Sequence, residues 1–377
     1  MSPARIYKPS PEQIAQRKIV GINEETVTNI TSTDFPGHYP GEDHAWDKDQ
    51  FEDNLQIQFH KNEKYDASFS VVGIDASIAN AFRRIMIAEV ATFAIEVVMT
   101  YNNTSIVQDE VLSHRLGLIP LTGSRAGFDK MDWWTPSAEN PDDKSLNATD
   151  LNTLQMNLSV RCTKNRDAAE NEEEPTKLYH NAHVYARDLK FQPNGKQTEW
   201  FSEEHGPVRA QNPDILIAKL RPGQEIELIA YARKGNGADH AKFSPVATAT
   251  YRLLPLIQII KPIVGEDAKK FAKCFLPGVV GLETVTEDDA VKDKQYRSHI
   301  GEQRAVVRNA FKDSVSRECL RHEEFKGKVK LGRIQDHFIF SVESTGQYQS
   351  DEIFLQSVQT LKSKIEVLKS DLETINH

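Results

Sequence analysis

Six apolar residues near the C-terminus, Phe354, Val358, Leu361, Ile365, Leu368 and Leu372, follow spacings of 4, 3, 4, 3 and 4. That is a heptad seam, narrower than the stripe of a helix lying on a sheet, and it predicts a long terminal helix that another helix must cover. Ser350 is placed to cap it. No other stretch carries a matching seam, so the cover is either a second chain or this chain's own opening helix. The residues leave both open.

The opening helix is predicted over Asp75-Ala-Ser-Ile-Ala-Asn-Ala-Phe-Arg-Arg-Ile-Met-Ile-Ala-Glu-Val90. Asp75 can accept a backbone N–H at its start, Ile78, Phe82 and Ile85 share one face, and Arg83 and Arg84 stand at the margin. Either it docks on a partner, or it packs on its own sheet with solvated arginines. Two half-buried strands precede it, on the alternations Leu55/Ile57/Phe59 and Ala67/Phe69/Val71. A longer one follows at Phe93, Ile95, Val97, Met99 and Tyr101, with Ser105 to Val107 returning as its hairpin partner after Asn102-Asn103. Asp109 is expected to cap a short helix bearing Val111, Leu112, Arg115 and Leu116, stopped by Gly117 and Pro120.

From Gly123 the pattern turns to strands without helices, on Leu154/Met156/Leu158/Val160/Cys162 and Ile226/Leu228/Ala230/Ala232, the latter after the turn Arg221-Pro-Gly223. The acidic run Glu170 to Glu174 reads as a solvated loop. Between Lys261 and Gly332 the expectations are a short amphipathic helix (Ala268, Phe271, Ala272, Phe275), a second helix from Ser314 to Phe325, and a flexible connection from Glu283 to Arg304. Phe338, Phe340 and Val342 make a last strand, and Thr345-Gly346 a turn. Positions 1–50 mix Pro, Gly, Asp and Thr without periodicity and read as a partly disordered arm.

A chain of 377 residues is long enough for two or more compact units. Its 46 Lys+Arg against 55 Asp+Glu give a net charge of -9, which repels phosphate backbones and makes nucleic acid a poor primary ligand. The only basic cluster, Lys326-Gly-Lys-Val-Lys330 with Arg333, lacks stacking aromatics beyond Phe325. Cys162, Cys274 and Cys319 form no close pair, which argues for a reducing compartment and leaves no CxxC zinc site. No apolar run long enough for a signal peptide or a membrane span is seen, so the chain reads as intracellular. Catalytic motifs are missing as well. Gly235-Asn-Gly237 reads as a turn, His114, His183, His240 and His337 are scattered, His240 reads as a structural hydrogen-bonding residue, and no serine sits in a G-x-S-x-G elbow.

Several separated segments, taken in order, resemble the α-like subunits of multisubunit RNA polymerases: Asp75 to Val90, His114-Arg-Leu-Gly-Leu-Ile-Pro120, Ala182 to Phe191, Lys219 to Leu228, Asp239-His-Ala-Lys-Phe-Ser-Pro245 and Asp336 to Gly346. Within that family, Tyr251-Arg-Leu-Leu-Pro255 and Phe271-Ala-Lys-Cys-Phe-Leu-Pro-Gly278 look like the larger form shared by RNA polymerases I and III, a family that includes bacterial α and archaeal D subunits. The resemblance covers Leu55 to the C-terminus. It implies an α+β fold: a flexible arm (1–50), a discontinuous dimerisation domain (51–121 and 333–377), a mostly β inserted domain (122–255), and a degenerate ferredoxin-like module without a cluster (256–332).

The resemblance also implies a non-catalytic assembly subunit of the nucleus, including the nucleolus. It would pair with a smaller α-like subunit and meet the second-largest polymerase subunit and small zinc-binding subunits, with neither membrane nor sequence-specific nucleic-acid contact. By position, Ile78, Phe82, Phe354, Val358, Leu361, Ile365 and Leu368 would lie at or under the interface with the smaller subunit. Arg83, Arg84, His114 and Arg115 would form the surface facing the large subunit. Some relatives hold zinc or an iron–sulfur cluster, and a cluster needs four thiolates. With three cysteines in the chain, no cofactor or metal is expected.

Overall fold

The computed structural model describes residues 9–375 apart from 31–38, 40, 43–44, 141–142, 144–146 and 170–171. Helices and sheets are mixed throughout. Two compact units divide the chain, one of Met1–His60, Ser68–Ala79 and Tyr251–Phe340, the other of Lys61–Ala67, Asn80–Thr250 and Ser341–His377. This division cuts across the segments expected from the sequence, because single long elements, the strand Val329–Ser344 and the helix Ala76–Ala88, begin in one unit and end in the other.

The first unit is built on a sheet ordered Val27–Thr28, Ile19–Ile22, Val329–Ser344, Asp66–Val72, Gln56–Glu63, with Val246–Ile259 also pairing on Val329–Ser344. Ile19–Ile22 belongs to the arm expected to be partly disordered. Its described part instead forms a helix, Pro11–Arg17, with a capping box at Ser10, and then a strand in register Ile19 to Ile334 and Ile22 to Leu331. The strand Val27–Thr28 pairs on it, a further helix starts at Lys48, and positions 1–8, 31–38, 40 and 43–44 lie outside the described residues. Phe69 stacks on Phe340 at 5.3 Å, as the alternation of both strands predicts. The strand Gln56–Glu63, expected half-buried, is exposed along its whole length, with Ile57 at 50% and Phe59 at 42%. It sits at the sheet edge, where covering elements are fewest.

A second core in this unit gathers Ile263, Phe271, Phe275, Cys319 and Phe325. The helix Gly265–Lys273 carries Phe271 as expected, with the ring 5.0 Å from Phe275 and 5.2 Å from Phe325. The connection expected to be flexible is ordered. Val280–Thr284 and Gln303–Val307 pair as antiparallel strands around the helix Glu287–Lys292, and Arg304 reaches Asp289 at 3.0 Å. The helix expected from Ser314 to Phe325 is replaced by two 3-10 turns, Glu318–Arg321 and Glu323–Phe325. Val315 at φ 62 puts a β-branched residue in the left-handed region, which an α-helix does not admit.

The second unit holds an antiparallel sheet ordered Lys190–Gln192, Thr153–Arg161, Glu225–Gly235, Thr92–Asn103. Leu154, Met156, Leu158, Ile226, Leu228, Ala230 and Ala232 are all buried in its core, as their period of two requires. Short helices, Arg125–Asp129, Pro175–Leu178 and Gln197–Trp200, interrupt a region expected to lack them. Two further expectations fail here. Ser105 to Val107 is not a strand, because its Ser105 and Val107 groups turn back onto the Asn103 side chain, while Thr92–Asn103 pairs with Glu225–Gly235 instead. The inward period of Thr92–Asn103 also breaks: the register shifts opposite Glu96, so Phe93 and Ile95 face the core and then Val98 does. Lys242 explains the bulge, since its ammonium pairs with the Glu96 carboxylate and donates to the Ile95 carbonyl at 2.9 Å.

Candidate partner interface

Asp75 starts the helix Ala76–Ala88 as the sequence suggests. Its Oδ1 accepts the Ala76 N–H at 2.7 Å and its Oδ2 the Ser77 hydroxyl at 2.7 Å. Ile85 and Met86 are buried, whereas Ile78 and Phe82 remain partly open. Leu112 and Leu116 bury one side of the helix Asp109–Gly117, whose N-cap is Gln108 rather than the expected Asp109. Asp109 lies one residue inside, accepting from Asn103 Nδ2 at 2.7 Å.

The terminal helix Ser350–Ile375 is 26 residues long. Ser350 is its first residue and does not cap it with the hydroxyl, which donates to the Glu63 carbonyl at 2.9 Å. Along this helix the seam divides. Ile353, Phe354 and Ser357 are buried, and the Phe354 ring meets Phe82 edge-on at 5.4 Å. Lys364 then reaches back to Glu89 at 2.9 and 3.1 Å. Beyond the first turns the same seam is open: Leu361 is half-buried, and Val358, Ile365, Leu368 and Leu372 are 41, 57, 62 and 61% exposed. The opening helix therefore covers the start of the seam, and nothing among the described residues covers its end.

Fully burying such a side chain contributes about 1.5–3 kcal/mol, and the 41–62% still exposed here leaves only part of that for a partner to gain, before the cost of association. The Phe82–Phe354 and Glu89–Lys364 contacts join residues 272 and 275 apart in the sequence, so no local spacing signals them.

The four residues assigned by resemblance to the large-subunit surface do different things. Arg83 donates Nε and Nη2 to Asn80 Oδ1 at 3.0 and 2.8 Å. Arg84 is exposed, without a side-chain hydrogen bond or ion pair among the described residues, and His114 is exposed too. Arg115 spreads its fork over the carbonyls of Ile217 and Leu216 at 3.1 and 2.6 Å, tying the helix Asp109–Gly117 to the strand Leu216–Lys219.

Two polar clusters among the described residues are tied into the fold. In the first unit Ser70 Oγ lies between His60 Nε2 and His337 Nε2, at 2.7 and 2.8 Å, but Ser70 is 1% exposed and out of reach of a substrate. His240 accepts the Lys242 N–H at 3.1 Å and so starts the turn Ala241–Phe243, a structural role. Gly237 packs against the Ile87 carbonyl, where a Cβ would come within 2.2 Å. Lys326 and Lys328 pair with Glu323 and Asp267, each at 3.4 Å, which draws down the single basic cluster. Among the described residues no three His, Cys, Asp or Glu side chains are arranged to hold a metal ion. Burial pushes the thiols of Cys162 and Cys274 up, and that of Cys319 up to about 12.

Over residues 68–365 the sequence matches the family described as the RNA polymerase Rpb3/Rpb11 dimerisation domain. It is 49% identical over 352 residues to the Saccharomyces cerevisiae protein named DNA-directed RNA polymerases I and III subunit RPAC1, covering 93% of this chain and 98% of that protein. The Homo sapiens protein of the same name is 44% identical over 364 residues, 97% of each chain. A Dictyostelium discoideum protein named DNA-directed RNA polymerase II subunit rpb3 is 32% identical over 318 residues, 82% of this chain and 92% of that one.

Proposed function

The chain belongs to the RNA polymerase Rpb3/Rpb11 dimerisation-domain family, and from that premise we propose that it is a non-catalytic architectural subunit of DNA-directed RNA polymerases I and III. Its relatives in yeast and human carry that subunit's name along nearly their whole length. The observation that carries the mechanism is the divided seam: Phe354 is buried on Phe82, while Val358, Ile365, Leu368 and Leu372 stand open on one helix.

A smaller α-like subunit fits that surface, because a narrow heptad seam is matched by a helix of the same kind. Phe82 and Phe354 close the covered start of the seam. Ile78, Val358, Leu361, Ile365 and Leu368 supply the contact. The dimerisation domain is drawn from both ends of the chain (51–121 and 333–377), with the β domain (122–255) and a ferredoxin-like module without a cluster (256–332) between them.

Arg83, Arg84, His114 and Arg115 are proposed to meet the second-largest subunit, Arg84 and His114 with free polar heads and Arg115 with the outer side of a fork already anchored. Small zinc-binding subunits complete the neighbourhood. The site of action is the nucleus and nucleolus, where rRNA and tRNA/5S transcription take place. Purifying the tagged native protein and identifying its partners tests the reading. Stoichiometric recovery with the largest subunits of both polymerases supports it, and recovery with neither overturns it.

A further inference from the structure

The second unit contains a cleft of about 600 Å3 that no residue of the apolar seam lines. It is a built site. Gln211 Nε2 donates to the Tyr65 hydroxyl at 2.7 Å and Gln211 N to the Pro120 carbonyl at 2.8 Å, fixing two walls. The third wall turns at Gly346, whose φ of 95 and whose closeness to Gln211, 2.5 Å from a would-be Cβ, admit only glycine.

Three cations line this cleft on a protein of net charge -9. Arg125 is held over the Tyr348 ring at 4.4 Å and bridges to Asp129 at 3.0 Å. Lys64 and Arg209 are exposed and have no side-chain hydrogen bond or ion pair among the described residues. One carboxylate, Glu352, also lines the cleft; it accepts the Gln349 N–H at 3.3 Å and keeps its charge, so three cations face one anion. Arg209, without an ion pair, and Lys64, whose ammonium lies 5.0 Å from the Tyr65 ring centroid, stand beside a fixed guanidinium and favour carboxylates, which the arginine fork can bind in two places at once.

Gln347 decides between kinds of anion. It lines the same cleft at 9% exposure, and its buried Oε1 has no hydrogen-bond partner. Its Nε2 donates to the Phe93 carbonyl at a long 3.4 Å; turning the amide toward the cleft gives up that bond and gives the oxygen a donor if the ligand is a peptide, through a backbone N–H. A phosphate backbone has no such donor to offer. We propose that this cleft receives an acidic loop of another polypeptide, its carboxylates on Lys64 and Arg209 and a backbone N–H on Gln347. This goes beyond pairing through the seam and does not depend on it.

The test is fluorescence anisotropy of labelled octaglutamate with the full-length protein at low salt. The proposal expects Lys64→Glu/Arg209→Glu to weaken binding by about tenfold, and Lys330→Glu/Arg333→Glu, which places the same charge change on an exposed patch of the first unit, to leave it unchanged. Should the first variant melt early, Lys64→Gln/Arg209→Gln replaces it with the same expected direction. Absence of binding, equal loss in both variants, or tighter binding of an octathymidylate oligonucleotide lost with the same two cleft residues would overturn the proposal.

Discussion

The rings of Phe82 and Phe354 meet edge-on, 5.4 Å between centroids and 68° between planes, and this contact marks where intramolecular cover of the heptad seam is strongest. Phe354 is 5% exposed, so Phe354→Ala is expected to cost about 3–5 kcal/mol through lost burial and a cavity. Leu368, at 62% exposure on the same seam, is expected to change the stability of the isolated chain by no more than about 0.5 kcal/mol when made Ala. Thermal melts of the two variants check the contrast, and equal losses would contradict a seam divided in this way.

Arg115 and Arg84 should also separate. Arg115→Ala removes two donors from the carbonyls of Leu216 and Ile217 and is expected to cost about 1–2 kcal/mol. Arg84→Ala, with no such bond, should leave the melting temperature unchanged while reducing capture of the second-largest subunit. The readouts are a melt and a pull-down of that subunit by the purified heterodimer.

Stability should depend on His337 at mildly acidic pH. Burial holds its imidazole below the usual histidine range, with His60 adding in the same direction and Asp336 opposing. The folded state therefore takes up a proton at lower pH than the unfolded chain does. Above the ordinary value of about 6.5 both states are neutral and nothing is lost, and as pH falls through it the unfolded chain is protonated first and stability declines. Melts from pH 7.5 down to 5.5 should show a shallower decline in His337→Gln than in wild type. An identical or steeper decline would contradict the assignment.

Thiol reactivity gives an independent check on the cores of both units. Cys162 and Cys319 are buried and Cys274 is partly accessible. Iodoacetamide at pH 8 should modify Cys274 first and slowly, because burial raises that thiol as well. Cys162 and Cys319 should react only after denaturation, as mass spectrometry of timed samples would show.

Strand alternation was legible in the sequence wherever a strand is covered on one face, as at Leu154/Met156/Leu158 and Ile226/Leu228/Ala230. It misled where tertiary contacts override period. Ile57 and Phe59 alternate like buried residues yet occupy an exposed edge strand. The Glu96 bulge depends on Lys242, 146 residues away, and so leaves no local mark. The strand Ile19–Ile22 owes its place to pairing with Leu331 to Ile334 rather than to its own composition. Of the candidate interface, the seam and the opening helix could both be read directly. Which part of the seam is covered internally could not, because Phe82–Phe354 and Glu89–Lys364 are long-range contacts.

The most direct test replaces Ile365 and Leu368 by Asp, since these side chains are 57 and 62% exposed and the chain's own fold does not depend on them. Each change removes apolar burial worth about 1.5–3 kcal/mol at a helical interface and places an unpaired charge in it. Co-expressed with the smaller α-like subunit, wild type should copurify as an equimolar heterodimer, whereas the double variant should melt as the unpaired wild-type chain does and fail to hold its partner. An undiminished heterodimer would contradict the account.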